Sequence, residues 1–359
     1  MIGCDCPVCT SSDPRDKRLR SSVLVEYGGL TILVDAGPDF RYQMLRANVR
    51  HIDAVLLTHN HKDHTGGLDD LRSFNLIEHH PVNIYCQEYV LNTLKGEIPY
   101  AFAEVLYPGA PEIKVHVISG REPFTVHSNS TEPWLEWETG KGYMRLPARD
   151  PRDITAEIIP IQGWHHKTKK LQVLGYRFGN IAYMTDISML EDGELEKLQG
   201  LDAVTLGCVK IPGHYSHPSF QECLDMFAQI GAKKSYFTHM SHLLPAYAKF
   251  EEMLPEGVYA AYDPPRDAEH HPAGEDPEED AGEHGDYERK DETERENALR
   301  FHHFPQTSSL HEPDIRYEAR EPLAEAVGKD DEPQRALIAQ RRFHRRAVVL
   351  KHDEHVVFG

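Results

Sequence analysis

The sequence lacks the features of membrane-spanning and secreted proteins. The chain of 359 residues contains no apolar run that approaches the ~18 residues of a membrane span. Its N-terminus, Met-Ile-Gly-Cys-Asp-Cys, has no basic segment followed by an apolar run, so no signal peptide is visible. We therefore expect a cytoplasmic protein that does not contact a membrane.

Cysteine is scarce, and half of it is clustered. Of the six cysteines, Cys4, Cys6 and Cys9 stand in one short segment, unlike the framework of a disulfide-rich secreted domain. In a reducing compartment, such clustering favours metal binding. The remaining cysteines show no partner pattern and are expected in the core.

Basic residues are fewer than acidic ones. The chain has 39 Lys and Arg against 58 Asp and Glu, a net charge of −19. Because nucleic-acid binding needs clustered Lys and Arg, this balance disfavours a nucleic-acid partner. Much of the acidic excess lies after residue 263, where apolar residues are too few to offset the entropy of ordering. We predict a folded domain at 1–263 and an acidic, largely disordered tail at 264–359 that is dispensable for catalysis.

The hydrophobic pattern of this domain predicts strands with interspersed helices, which indicates an α/β fold. Strands are predicted at 22–27, 30–35, 53–58, 80–85, 154–160, 173–178, 181–186, 201–206 and 234–239, and helices at 40–48, 88–95, 194–198 and 219–230. Gly66 and Gly67 are expected to let the backbone turn sharply into a further helix at Leu68. Residues 120–153 are interpreted as an insertion, either a lid over a site or a plain surface excursion.

The most informative segment is 58–64, Thr-His-Asn-His-Lys-Asp-His, which follows a short apolar strand. His59 and His61 alternate on an extended backbone, so both can point to one side. Asp63 and His64 lie past the bend and can face a second ion. Imidazole and carboxylate together suit zinc, manganese or iron.

This motif, with Asp-Ala-Gly-Pro-Asp at 35–39 and Gly-Leu-Asp-Asp-Leu-Arg at 67–72, resembles the metal-binding motif of the metallo-β-lactamase superfamily. Within that superfamily it is similar to the PhnP-like cyclic-phosphate phosphodiesterases and, more distantly, to tRNase Z. The similarity runs from about residue 3 to residue 263. It implies an αββα sandwich whose first strand is apparently missing, because the family normally begins with a strand before the cysteine cluster.

The resemblance also implies a metal-ligand set at strand ends that would hold two divalent catalytic ions, zinc or manganese. The implied division is His59, His61 and His165 on one ion, Asp63, His64 and His239 on the other, and Asp186 across both. His166 is an open alternative to His165, because the loop here is longer than usual.

Catalysis would use a hydroxide shared by the two ions to attack a phosphate. His217 matches the family's general acid, which gives the leaving oxygen its proton. Asp63 is the second candidate catalytic residue. His214 is a weaker competitor for the acid role, and the plain alternative for His217 is a residue that caps a helix.

A second metal site is implied by the cysteine cluster. Cys4, Cys6 and Cys9, with His242, would form a Cys₃His structural zinc site. Such a site would tie the N-terminus to the loop that carries His239.

These residues predict a metal-dependent hydrolase that acts on a small or cyclic phosphodiester, with that small molecule as its partner. The alternatives are a tRNA 3′-end endonuclease and an inactive relative that serves as a binding or scaffold protein. A homodimer is left open.

Overall fold

The computed structural model describes residues 1–129, 134–138, 142–146, 153–213, 215–262 and 347–349. The strands are β1 (Ser22–Tyr27), β2 (Leu30–Val34), β3 (Ala54–Leu56), β4 (Val82–Cys86), β5 (Ile113–Val117), β6 (Phe124–His127), β7 (Trp134–Glu138), β8 (Gly142–Leu146), β9 (Thr155–Trp164), β10 (Gln172–Phe178), β11 (Ile181–Tyr183), β12 (Met189–Leu190), β13 (Ala203–Gly207), β14 (Lys234–Thr238), β15 (Val258–Ala260) and β16 (Ala347–Val349).

The α-helices are α1 (Phe40–Ala47), α2 (Lys62–Thr65), α3 (Arg72–Glu78), α4 (Glu88–Glu97), α5 (Phe220–Ile230) and α6 (Tyr247–Glu251). Short 3₁₀ helices span Pro14–Asp16, Leu68–Leu71, Pro99–Phe102 and Glu194–Leu198. Among the described residues, no helix combines the length and the hydrophobicity that a membrane span requires.

The strands form two large sheets. The first has the order β16-β1-β2-β3-β4-β5, and the second β12-β9-β10-β11-β13-β14-β15, with β6 also paired to β9. β1 and β2 form an antiparallel hairpin, whereas β2 to β5 run parallel. β7 and β8 pair with each other in a two-stranded sheet.

The buried side chains show how these layers stack. Along β2, Ile32 and Val34 face the second sheet, where they join Tyr176 and other residues, whereas Leu33 faces the other way. Leu33 packs in a separate cluster with residues of α1, α3 and α4, including Phe40. Central parallel strands are therefore buried on both faces, as a helix layer requires.

Helices cover the second sheet as well. The Phe237 ring of β14 lies 5.1 Å from Phe227 of α5 and 5.6 Å from Phe250 of α6, measured between ring centroids. The architecture is helix, sheet, sheet, helix, which confirms the predicted αββα sandwich.

Two regions of the chain contain strands that were not predicted from the sequence. β6 lies inside the segment 120–153 that was interpreted as an insertion, yet it pairs with β9, for example Phe124 with Ile158. A lid role for this segment stays a prediction. The predicted tail at 264–359 lies outside the described residues except for β16, which pairs in parallel with β1 at the sheet edge where a first strand was expected to be missing.

Candidate metal centre

The predicted site residues lie beyond the carboxyl ends of strands from both sheets. His165 follows β9 directly, His239 follows β14 directly, and Asp186 lies a short turn beyond β11. Because β11 and β14 run parallel on either side of β13, their carboxyl ends meet at one edge of the second sheet. The 58–64 motif follows β3 of the first sheet, so the site lies where the two sheets meet.

The second half of the motif is helical rather than extended. The His64 amide donates to the carbonyl of His61 at 2.9 Å, and the Thr65 amide donates to the same carbonyl at 3.1 Å. This turn is α2, and it brings Asp63 and His64 back toward the first two histidines. Rings of His59 and His64 lie 4.3 Å apart between centroids.

A buried carboxylate orients this motif. Asp35 is fully buried, and its Oδ2 lies 2.6 Å from His64 Nδ1. The Thr58 amide donates to Asp35 Oδ1 at 2.9 Å, and the Thr58 hydroxyl donates to Oδ2 at 2.8 Å. A partner on Nδ1 leaves His64 Nε2 as the atom available for an ion. Asp35 belongs to one of the motifs that carry the resemblance, but no role was predicted for it.

Asp186 occupies the middle of the site. Its Oδ2 lies 2.9 Å from His64 Nε2 and 2.8 Å from His239 Nε2. Its Oδ1 lies 3.5 Å from His165 Nε2 and 3.4 Å from His217 Nδ1. One carboxylate therefore faces histidines from both halves of the implied ligand set.

The backbone at the site is unusual for residues other than glycine. Asp35, Asp186 and His239 have φ angles of 63°, 54° and 54°, in the left-handed region. Each of these residues comes directly after a strand or a short turn beyond one. The left-handed residue lets the chain leave the sheet while its side chain faces the site.

The donor atoms fit divalent ions. Groups whose potential ligand atoms lie within 4.8 Å of one another are His59–His61–His165, His59–His64–Asp186, Asp63–His64–His239 and His165–Asp186–His217. His59 Nε2 is buried with no hydrogen-bond partner in the described part of the chain. Burial lowers the pKa of His59 and of His165, which keeps these imidazoles neutral, the form that binds metal.

The charges of the site residues also favour the binding of a cation. Burial lowers the pKa of His64, but the carboxylates of Asp35 and Asp186 outweigh burial and raise it to about 10. Burial raises the pKa of Asp186, and the neighbouring His239 and His64 outweigh it, so that this pKa falls well below its usual value. Ionised carboxylates at the centre of a buried site favour positive charge there.

The structure separates the alternatives for the remaining histidines. His165 belongs to the groups above, whereas His166 belongs to none found among the described residues. His217 is buried beside Asp186, and α5 is capped by Ser219, which accepts from the Glu222 amide at 3.2 Å. His217 is therefore not the capping side chain of this helix. His214 lies outside the described residues.

The cysteine cluster forms a second site. Cys4 Sγ and Cys6 Sγ lie 3.4 and 3.5 Å from His242 Nδ1, and Cys9 Sγ completes a group within 4.8 Å. Burial raises the pKa of Cys6, but hydrogen bonds from the Cys9 backbone and His242 outweigh it and lower the pKa to about 6. A thiolate at neutral pH suits zinc. The other cysteines, Cys86, Cys208 and Cys223, are buried, as expected.

A buried histidine and aspartate cluster at strand ends of an αββα sandwich defines a hydrolase of the metallo-β-lactamase fold, and this fold implies divalent metal ions. The chain belongs to that superfamily, because residues 31–240 match the family model described as "Beta-lactamase superfamily domain".

Similar proteins confirm the resemblance to the PhnP branch. A crystal structure described as "a New Diphosphatase from the PhnP Family" is 35% identical with a TM-score of 0.58, and the match covers 73% of this chain and 89% of that one. The "Octanoyltransferase" of Porphyromonas gingivalis is 33% identical over 264 residues, which are 73% of this chain and 47% of that protein. A "Ribonuclease Z" of Bradyrhizobium sp. (strain ORS 278) is 41% identical over 66 residues, 18% of this chain and 22% of that protein. The chain thus spans less than half the length of these curated relatives.

Proposed function

We propose that this protein is a metal-dependent phosphodiesterase that hydrolyses a small or cyclic phosphodiester. The observation that carries the proposal is the position of Asp186, whose two carboxylate oxygens reach histidines of both implied ligand sets. His59, His61 and His165 would hold one ion, and Asp63, His64 and His239 the other. When bound, the divalent ions supply Lewis acidity and an activated water nucleophile.

Asp35 and His217 have further roles in the proposed reaction. Asp35 fixes the ring of His64 through Nδ1. His217 lies at the edge of the cluster, where its ring is 4.8 Å from that of His165 and 5.4 Å from that of His239. A proton held on His217 is close to a phosphate bound between the ligand sets, which suits it to protonate the leaving oxygen.

The PhnP-family structure and the Ribonuclease Z support phosphorus–oxygen bond cleavage as the reaction class, whereas the name of the Octanoyltransferase indicates acyl transfer. The PhnP-family structure is described as a diphosphatase, so a diphosphate linkage belongs among the substrates to be tested. The net charge of −19 disfavours a long RNA substrate, since counterion release needs clustered basic residues. The Cys₃His group would hold a structural zinc ion that supports the loop after β14.

The test separates proton donation from metal binding at His217. In the His217→Ala variant, we expect kcat to fall by ~10²–10⁴-fold for a substrate with an alkoxide leaving group, such as a ribose cyclic phosphate. The loss should be small for bis(p-nitrophenyl) phosphate, because p-nitrophenolate leaves without a proton. Metal content, measured by elemental analysis, should match that of the unaltered protein.

His59→Ala serves as the contrasting variant, since loss of a ligand should lower metal content and the rate on every substrate. Equal losses on both substrates with full metal content would assign His217 to substrate positioning. Metal loss in His217→Ala would make it a ligand. If the metal-loaded protein hydrolyses no phosphodiester or diphosphate, the proposed function is wrong.

A further inference from the structure

A row of stacked rings leads from the candidate metal centre to the protein surface. The ring of His165 stacks on that of His166, with centroids 5.0 Å apart and planes 29° apart. The ring of His166 in turn stacks on that of Tyr215, 5.2 Å away and 15° from parallel. Tyr215 is 73% exposed. We call His166 and Tyr215 the ring shelf.

Tyr215 presents an exposed aromatic ring close to the candidate metal centre. Tyr215 leaves most of its apolar surface in water, although its ring is held nearly flat against His166. A flat, exposed ring beside a catalytic centre offers a large contact surface for a planar group at little further cost in side-chain entropy. The shelf thus suits a planar part of the molecule whose phosphate reaches the metal centre.

A polar cavity of about 590 Å³ is lined by residues that lie close in sequence to the two shelf residues. Its lining includes Lys167, the neighbour of His166 in the chain, and Gly213, which precedes Tyr215 in the same loop. Ser219, Gln221 and Glu222, at the start of α5, complete the lining with Pro212. Such side chains can hydrogen-bond to the edge of a base or to ribose hydroxyls.

The charge in this cavity argues against a second phosphate. Glu222 pairs with Lys167, and this hydrogen bond, with others from Ser219, lowers the pKa of Glu222 to about 2. The Lys167 charge is therefore already balanced by Glu222, so the cavity offers a second phosphate no excess positive charge. A base or ribose group that donates a hydrogen bond needs no such charge.

We propose that the ring shelf binds the planar base of a nucleoside, so that the phosphate at the metal centre belongs to a nucleotide. A nucleoside separates its base from its phosphate by one sugar ring, which suits a shelf that extends two rings outward from His165. The phosphate chemistry rests on the proposed function, whereas the base contact is a separate binding event.

The test compares two substrates that differ only in the base. Adenosine 2′,3′-cyclic phosphate and methyl riboside 2′,3′-cyclic phosphate carry the same strained ester, and only the first can stack. We expect the protein to favour the nucleotide through a lower KM. Tyr215→Leu should raise that KM by about 5- to 100-fold, as one lost base–aromatic stack does, and leave the riboside kinetics unchanged. Tyr215→Phe should retain the preference.

The control variant is Tyr42→Leu, which removes another exposed tyrosine, 47% exposed and located in α1. It should change neither substrate's kinetics. Equal kcat/KM for both substrates, or a base preference that survives in Tyr215→Leu, would overturn the assignment of the shelf.

A binding measurement keeps this test independent of turnover. Adenosine, which carries no phosphate, should bind the unaltered protein in calorimetry and bind Tyr215→Leu about 5- to 100-fold more weakly. If neither cyclic phosphate is hydrolysed, the adenosine titration alone decides the shelf, and the proposed function is judged on the wider set of phosphodiesters and diphosphates. Equal adenosine affinity in both proteins would contradict the shelf whatever the kinetics show.

Discussion

At the scale of single residues, charged groups at both ends of the first sheet's strands are fixed by pairing. Beyond the carboxyl ends, Asp35 holds His64 of the candidate site. Near the amino ends, His51 lies between two carboxylates, with Nε2 2.9 Å from Asp53 Oδ1 and Nδ1 2.9 Å from Glu78 Oε1. The first pairing orients a candidate ligand, and the second has consequences for stability.

The His51 pairing predicts a pH-dependent contribution to folding. Burial lowers the pKa of His51, but hydrogen bonds to Asp53 and Glu78 outweigh it and raise the pKa to about 10. A raised folded-state pKa stabilises the fold fully below about pH 6.5, the unfolded value, and this stabilisation is lost as pH rises through about 10. His51→Gln should therefore lower the free energy of unfolding at pH 6.

We expect a loss of about 1 kcal/mol at that pH, because the side chain is partly exposed and its ion pairs are screened. The difference should shrink toward pH 10 in chemical denaturation. His127→Gln serves as the control. His127 pairs with Asp153, and both side chains are about half exposed, so its loss should change the free energy of unfolding little. A His51→Gln deficit that grows with pH would contradict the argument.

The candidate site residues that could be predicted from the sequence are those that stand close together in it. His59, His61, Asp63 and His64 stand together after an apolar strand, and the structure brings their side chains together. Asp35 was missed because its partners lie 23 and 29 residues away and because its positive φ has no local signature.

The chain turns into a helix at Leu68 as predicted, but the role assigned to the glycines of the motif was wrong. Gly66 and Gly67 have negative φ angles of −71° and −108°, so conformational freedom is not their role. A side chain on Gly67 would collide with the carbonyl oxygen of Gly37, and one on Gly37 with that of Asp63. Two backbone segments approach closely here, and such an approach cannot be deduced from local spacing.

At the scale of elements, the N-terminal segment is tied to the loop that follows β14. Arg18 is almost fully buried, donates to the carbonyl oxygens of Ser241 and Pro245, and pairs with Asp16 at 3.2 Å. Asp16 also accepts from the Tyr247 amide at 2.9 Å. These bonds lie beside the Cys₃His group, so the loop has two independent attachments.

Because the loop after β14 has two attachments, we expect only a partial loss of stability when one of them is removed. Cys6→Ser should lower the zinc content by about one equivalent and lower Tm by at least ~2–4 °C, the shift that 1 kcal/mol produces in a domain of this size. The catalytic ions should be partly retained, because the Arg18 contacts remain. Elemental analysis and a thermal scan provide the measurement.

Cys86→Ala is the matched control for this experiment. Cys86 is buried in the core cluster beneath the helices and lies outside the Cys₃His group, so its removal should leave the zinc content unchanged. Full zinc content in Cys6→Ser would show that the cysteines do not hold an ion.

Elements with a strong local pattern were predicted, and those that depend on a neighbour were not. The hairpin of β1 and β2 and the amphipathic helix α5 match the expected ranges to within a residue or two. The missed elements include β5, β6, β7, β8, β12, β15, β16 and α6. β12 has only two residues, and its pairing with β9 makes it a strand. β5 is an exception, since its alternating sequence Ile-Lys-Val-His-Val is a local strand pattern.

At the scale of the whole molecule, β16 joins a distant part of the chain to the first sheet. Ser22 pairs with Ala347 and Leu24 with Val349. The candidate site residues lie between His59 and His239, apart from the Cys₃His group, and so are far from this edge in sequence. The layered architecture followed from the resemblance, whereas a pairing across more than half of the chain has no signature in the sequence.

A chain that ends at Tyr262 should therefore keep its full kcat, because no candidate site residue is removed. We expect only a modest loss of stability, since β16 contributes a three-residue edge pairing. Activity of the shortened chain under saturating metal and its Tm provide the check.

The full-length variant Val348→Pro isolates the strand from the rest of the tail, since proline disrupts a ladder. It should match the shortened chain in Tm if β16 is the relevant part. Failure of the shortened chain to fold would show that the first sheet requires this edge strand.

The left-handed backbone at Asp35, Asp186 and His239 bears on how this protein would respond to selection. Non-glycine residues in that conformation carry a cost of roughly 1 kcal/mol each, which glycine would relieve. Glycine would, however, also delete buried side chains that hold hydrogen bonds, such as those of Thr58 and His64 with Asp35, and that loss exceeds the relief. In laboratory evolution for heat resistance, these three positions should therefore stay fixed, and stabilising substitutions should accumulate elsewhere.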